Sequence, residues 1–114
     1  MSNLPLTYLA SDIAVAPQLQ PEQMAEAAAQ GFKSVINNRM PQEPAQPAQD
    51  ALRDAATQAG MHYEWQPVNP AMIGAQDVEK MASYLETLPR PLLVFCRSGS
   101  RSTALVQAAA RMKK

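Results

Sequence analysis

Cys96 is the only cysteine among 114 residues, and the residues that follow it suit the chemistry of anions. It stands in LLVFCRSGSRSTAL, residues 92–105. Four apolar residues lead to the sulfur, a polar stretch with two arginines follows, and a helix-like pattern begins near Ser102. A glycine at position 99 lets the backbone turn with its amides facing inward. Ser102 and Thr103 open a helix whose N-terminus carries partial positive charge. Together these form a nest of N–H groups with the sulfur at its floor. Such a nest stabilises a thiolate, and an accessible low-pKa thiolate is a nucleophile. The same nest holds an anion above the sulfur, with Arg97, Ser98, Gly99, Ser100 and Ser102 as its binding residues. Arg101 is expected to cover that anion and act with Cys96 in catalysis, and Arg97 to add charge at the rim. A free cysteine is often an inert core residue. An inert cysteine, however, requires neither a glycine turn nor two arginines at a helix start.

The elements around this loop alternate between strand and helix. LTYLASDIAV, residues 6–15, reads as two short strands with a turn at Ser11-Asp12. A helix is expected from Pro21 to the stop at Gly31, with Met24, Ala27 and Ala28 as its apolar stripe. FKSVIN reads as a buried strand, and RMPQEPAQPAQ as an ordered proline-rich loop. A second helix over residues 48–59 turns Leu52, Ala55, Ala56 and Ala59 inward and ends at Gly60. MHYEWQPV is a further strand. A third helix over residues 75–88 carries Val78, Met81, Leu85 and Leu88. The last strand is LLVF and the last helix covers residues 102–112. Alternation of this kind implies crossovers and a mainly parallel sheet. Ligands then bind beyond the carboxyl ends of the strands, where Asn37-Asn38-Arg39, Pro67-Val68-Asn69 and the Cys96 loop converge.

The composition is that of one globular domain spanning residues 1–114, with ten basic and ten acidic residues and zero formal net charge. No basic run suggests nucleic acid. Arg111, Lys113 and Lys114 read as complements to the last helix dipole. One cysteine excludes an internal disulfide and a multi-cysteine zinc site, and it suits a reducing cytoplasm. The start MSNLPLTYLASD lacks the pattern of a signal peptide. No stretch approaches the roughly 20 apolar residues of a membrane span. No cofactor or metal is expected. His62 reads as a half-exposed strand histidine, Trp65 as packing, and Asp77 as an acid favouring the start of the third helix. Asn37, Asn38 and Arg39 read either as a strand end with turn formers or as supports for the cysteine loop.

Cys-x-x-Gly-x-Arg after an apolar strand resembles the loop of rhodaneses, the persulfide-forming sulfurtransferases. It also resembles the Cys-x5-Arg loop of tyrosine and dual-specificity phosphatases, one residue shorter: four residues separate Cys96 from Arg101. From about residue 12 onward the chain is similar to the phosphatase-like domain of beta-lactamase hydrolase-like proteins, also described as a sulfur transferase family. The stretches that show it are QPEQMAEAAAQGFKSVINNR, QEPAQP, AATQAGMHYEWQPV and FCRSGSRST. The resemblance implies an α/β domain of dual-specificity-phosphatase type, with a mainly parallel sheet of four to five strands flanked by helices. The cysteine strand should be central, between the second N-terminal strand and residues 33–36, with residues 61–66 outside the latter. The chain departs from the family at Arg39-Met40-Pro41-Gln42, where Arg-Pro-Asp-Gly is usual, and at Ser100, where threonine is usual.

A phosphatase needs a general acid for its leaving alkoxide, and PVNPAMIG contains none. Sulfite and thiolates leave as anions. The expected function is therefore transfer of a sulfane sulfur from thiosulfate or a glutathione persulfide, through a Cys96 persulfide, to an external thiol acceptor. A persulfide-oxidising enzyme is a candidate partner, since family members occur beside such a domain. A cysteine-dependent phosphatase and a non-catalytic sulfur carrier are the alternatives.

Overall fold

In the computed structural model of the chain, residues 4–112 are described. They form β1 (Thr7–Ala10), β2 (Ile13–Ala16), α1 (Gln23–Ala29), β3 (Ser34–Asn37), α2 (Gln49–Gln58), β4 (His62–Trp65), α3 (Ala75–Thr87), β5 (Leu92–Phe95) and α4 (Ser100–Met112). The sheet order is β1-β2-β5-β3-β4. β1 pairs antiparallel with β2, and β2, β5, β3 and β4 run parallel. The cysteine strand is thus central, with the neighbours the sequence implied. No described helix is long and apolar enough to cross a membrane.

The central strands are buried on both faces, which is why LLVF and SVIN are continuous rather than alternating in hydrophobicity. Successive residues still face opposite ways. Leu93 and Phe95 join Val35, Ala14, Ala16, Met24, Leu52 and Ala56 beneath α1 and α2. Leu92 and Val94 join Ile13, Val15, Ile36, Met81, Leu85 and Leu105 beneath α3 and α4. Both strands therefore point their carboxyl ends at one edge of a three-layer domain, and Cys96 emerges there.

Two helix starts differ from the sequence reading. α1 begins at Gln23 rather than Pro21, because Gln20 and Pro21 form a turn that accepts the Gln23 and Met24 amides at 2.9 and 3.1 Å. α4 begins at Ser100, two residues earlier than expected, because the Gly99 carbonyl already accepts the Thr103 amide at 2.9 Å. This places Arg101 and Ser102 in the first helical turn instead of a free loop. The glycine stop of α2 is as expected: Gly60 has φ +88°, and Met61 N–H reaches back to the Ala56 carbonyl at 3.0 Å. Lys113 and Lys114, read as dipole complements, lie outside the described residues.

Leu93 is fully buried in the central strand. Leu93→Ala should cost about 2–5 kcal/mol, seen as a lower urea midpoint with an unchanged denaturant slope.

Candidate active site

The sheet ladder delivers the cysteine. Cys96 N–H donates to the Ala16 carbonyl at 3.3 Å, Asn38 N–H donates to the Phe95 carbonyl at 2.9 Å, and Gln18 N–H donates to the Arg97 carbonyl at 3.2 Å. The ends of β2 and β3 thereby flank the turn that follows β5. Gly99 has φ +95°, a conformation that disfavours any Cβ. That turn aims the Gly99 amide at Cys96 Sγ, 3.1 Å away. Burial pushes the thiol pKa up. The Ser102 hydroxyl and the amides of Ser102, Gly99 and Ser98 outweigh it, so the pKa lies below its ordinary value. The hydroxyl has only one proton, however, and donates it to Asn38 Oδ1 at 2.8 Å. The amides are therefore the steady donors, and the Ser102 hydroxyl serves the thiolate only by releasing Asn38.

Two expectations are corrected here. Cys96 is not an accessible thiol but is 1% exposed: the loop folds over it, and reagents meet the nest before the sulfur. Nor are the terminal nitrogens of Arg101 free to cover an anion. Its side chain turns into the protein and the residue is 7% exposed. Nη1 donates to the Asn38 carbonyl at 2.8 Å, the Val68 carbonyl at 3.1 Å and Glu43 Oε2 at 2.8 Å. Nη2 donates to Glu43 Oε1 at 3.1 Å. A carboxylate and two carbonyls in a dry pocket satisfy the guanidinium, and only its buried Nε has no partner. Arg97, Ser98 and Ser100 are exposed at the mouth of the loop. Arg97 makes no side-chain hydrogen bond or ion pair with the described residues, and the Ser98 and Ser100 hydroxyls lie 2.8 Å apart.

Asn37, Asn38 and Arg39 are supports. Asn38 Nδ2 donates to the Gln66 carbonyl at 3.1 Å while its Oδ1 holds Ser102. Asn37 Oδ1 accepts the Arg39 amide at 2.9 Å, and its Nδ2 donates to the Tyr63 hydroxyl at 3.2 Å. Arg39 is 2% exposed. It donates through Nε to Glu43 Oε1 at 3.0 Å, through Nη1 to Gln18 Oε1 at 2.7 Å and through Nη2 to the Pro44 carbonyl at 2.7 Å. Trp65 Nε1 donates to the Arg39 carbonyl at 2.7 Å.

Glu43 is the residue that sequence reasoning missed. Burial pushes its pKa up, but hydrogen bonds from Arg101, the Met40 amide and Arg39, with the charge of Arg101, lower it to about 2. Its four-residue spacing from Arg39 signals pairing only within a helix, and here the two sit in a proline-rich loop. Asp77 Oδ2 accepts the Gly74 amide at 2.9 Å, so it caps α3 as expected. His62 is exposed on β4.

The family described as "Beta-lactamase hydrolase-like protein, phosphatase-like domain" matches residues 5–111. A beta-lactamase hydrolase-like protein of Xylella fastidiosa is 33% identical over 94 residues, covering 82% of this chain and 22% of its own length. The chain thus spans about a fifth of the curated relatives it matches. A solved structure from Neisseria meningitidis Z2491, provisionally described as a phosphatase, is 30% identical. It superposes with a TM-score of 0.79 over 89% of this chain and 72% of that one. The phosphatase Tk-PTP, at 14% identity and TM-score 0.74, covers 96% of this chain and 72% of its own and shows the shared fold alone. These likenesses favour a phosphatase-like, cysteine-dependent enzyme; none shows sulfur transfer.

Two measurements test the site. The pH midpoint of iodoacetamide alkylation should fall below the free-cysteine value of about 8.5, and Gly99→Ala should raise it by disturbing the amide that faces Sγ. Glu43 titrates near 4.5 when unfolded and about 2 when folded, so its stabilisation is present above pH 4.5 and lost as pH falls toward 2. Glu43→Gln should flatten that acid limb. It should also cost about 3–5 kcal/mol at pH 7, because two buried guanidinium groups lose their counter-charge.

Proposed function

The chain belongs to the beta-lactamase hydrolase-like, phosphatase-like domain family, and from that premise we propose that it transfers sulfane sulfur through Cys96. The observation that supports this reading is the lack, among the described residues, of an available carboxylic acid beside a stabilised thiolate. The 67–74 loop has no carboxyl group. Asp77 is engaged with the Gly74 amide, and Glu43, titrating near 2, stays ionised at neutral pH. A phosphate ester would have to release its alkoxide unprotonated, forgoing a factor of about 10²–10⁴ in rate.

Sulfur transfer has no such requirement. Cys96 thiolate attacks the outer sulfur of thiosulfate, the S–S bond breaks, and its electron pair leaves on sulfite. The product is a Cys96 persulfide whose terminal sulfur lies among the loop amides. An external thiolate then attacks that sulfur, carries it away as a persulfide, and returns Cys96 as the thiolate. No proton or further oxidant enters the balance. Arg97, the loop guanidinium without a partner among the described residues, would draw in an anionic donor such as thiosulfate or glutathione persulfide. A second cysteine is absent from the sequence, so the acceptor comes from outside. A persulfide-oxidising enzyme remains a proposed partner, and a reducing cytoplasm the proposed compartment.

Phosphate hydrolysis through a phosphocysteine is the second reading, favoured by the family description and the phosphatase neighbours. One preparation and its Cys96→Ser control separate the two. Thiosulfate treatment should add the mass of one sulfur atom to Cys96, and phosphoserine peptide should be left intact. Cysteine-dependent phosphoserine hydrolysis without sulfur uptake would falsify sulfur transfer and establish the phosphatase.

A further inference from the structure

We propose that the cleft between β1, β2 and α4 is the acceptor site, and that it takes small uncharged thiols in preference to charged ones. This rests on the sulfur-transfer reading and specifies its second half-reaction. The cleft has a volume of about 450 Å³, within the range that holds small molecules. Val15, Ala16, Pro17 and Ala104 form apolar walls, while Ser98 and Ser100 stand at its boundary with the cysteine loop. None of its ten lining residues is charged.

The cleft and the nest share one strip of backbone. Gly99 lines the cleft, and its amide donates to Cys96 Sγ at 3.1 Å. A Cβ at Gly99 would lie 3.6 Å from the Ala16 carbonyl group, so the wall is closely apposed to the end of β2. Cys96 itself is 1% exposed, and an acceptor does not reach its sulfur directly. A persulfide extends the sulfur outward by one S–S bond of about 2.05 Å. An acceptor whose body rests in the cleft then meets that outer sulfur across the Ser98–Ser100 edge. Its thiolate forms the new S–S bond as Cys96 leaves with the electron pair of the old one.

Charge decides which thiols fit. Ionised carboxylate, sulfonate or ammonium groups would shed part of their water in the cleft and meet no opposite charge among its lining residues. The exposed Arg97, at the loop mouth, is not among the cleft residues. Donor and acceptor are thereby told apart: an anion at the arginine, a neutral thiol on the neutral wall.

The test uses the whole chain loaded with sulfur from thiosulfate. Single-turnover discharge is compared for 2-mercaptoethanol, cysteamine, mercaptoethanesulfonate and glutathione at matched thiolate concentration. The neutral thiol should discharge at least about tenfold faster, since charge brought into a site without an opposite charge is disfavoured. Ala104→Asp and Ala104→Phe should each abolish that advantage while thiosulfate still loads the sulfur. Equal discharge by all four thiols, or no effect of either substitution, overturns the acceptor site. Failure to load sulfur sinks the underlying reading instead. The cleft is then tested by titrating Cys96→Ser with 2-mercaptoethanol and following the amide signals of Ser98, Ser100 and Thr103. Saturable shifts support the site, and their absence overturns it.

Discussion

The grip of one carboxylate on two buried guanidinium groups fixes the geometry on which the site depends. Glu43 accepts from Arg39 and Arg101, and from the Met40 amide at 2.7 Å. Arg39 follows β3, Arg101 stands in the first turn of α4, and Arg101 also holds carbonyls of Asn38 and Val68. One ion network therefore ties the ends of β3 and β4 to the start of the cysteine helix. A buried ion network is a weak source of net stability, since desolvation offsets most of its attraction. Its value here is register. Any rotation of α4 would strand a guanidinium in a dry pocket, so the first-turn amides stay directed at the sulfur.

The nucleophile itself depends on a narrower balance. Burial alone would keep Cys96 protonated and inert. The Ser102 hydroxyl and the amides of Ser102, Gly99 and Ser98 reverse that direction, and the Gly99 amide reaches the sulfur because Gly99 adopts φ +95°. With Arg101 committed to Glu43, backbone dipoles rather than a side-chain cation supply most of the local stabilisation. The Ser102–Asn38 hydrogen bond couples this nest to β4, because Asn38 is held in turn by the Gln66 carbonyl. A displacement of the β4 end would be felt at the sulfur through two hydrogen bonds.

The strands and the four helices were legible in the sequence for a local reason, while the sheet order and the central place of the cysteine strand followed from the family resemblance. Apolar runs of four residues and helix-period stripes record burial directly, and crossover rules leave few arrangements of them. The cysteine loop was legible because glycine, serine and arginine types are constrained by backbone geometry. The orientation of Arg101 was not. Its direction is set by Glu43, 58 residues away in the chain, and neither residue marks the other by local spacing. The burial of Cys96 was hidden for a related reason: a polar, glycine-containing loop suggests exposure, yet α4 begins early enough to close over it.

Phosphate and sulfur chemistry share the thiolate and the amide nest, so the fold by itself does not choose between them. The choice lies in what surrounds the nest. A phosphoryl group presents three charged oxygens and leaves behind a basic alkoxide, which calls for a free guanidinium and a protonated acid. Here the helix guanidinium is bound by Glu43, and Glu43 is held in its ionised form by that same contact. One interaction thus engages both terminal nitrogens of Arg101 and keeps a potential acid ionised, leaving Nε as the guanidinium donor without a partner among the described residues. A sulfane sulfur is a single small atom with a stable leaving anion, and it requires neither. The sulfur transfer proposed above therefore calls only on the loop amides, which the contact securing the loop leaves in place.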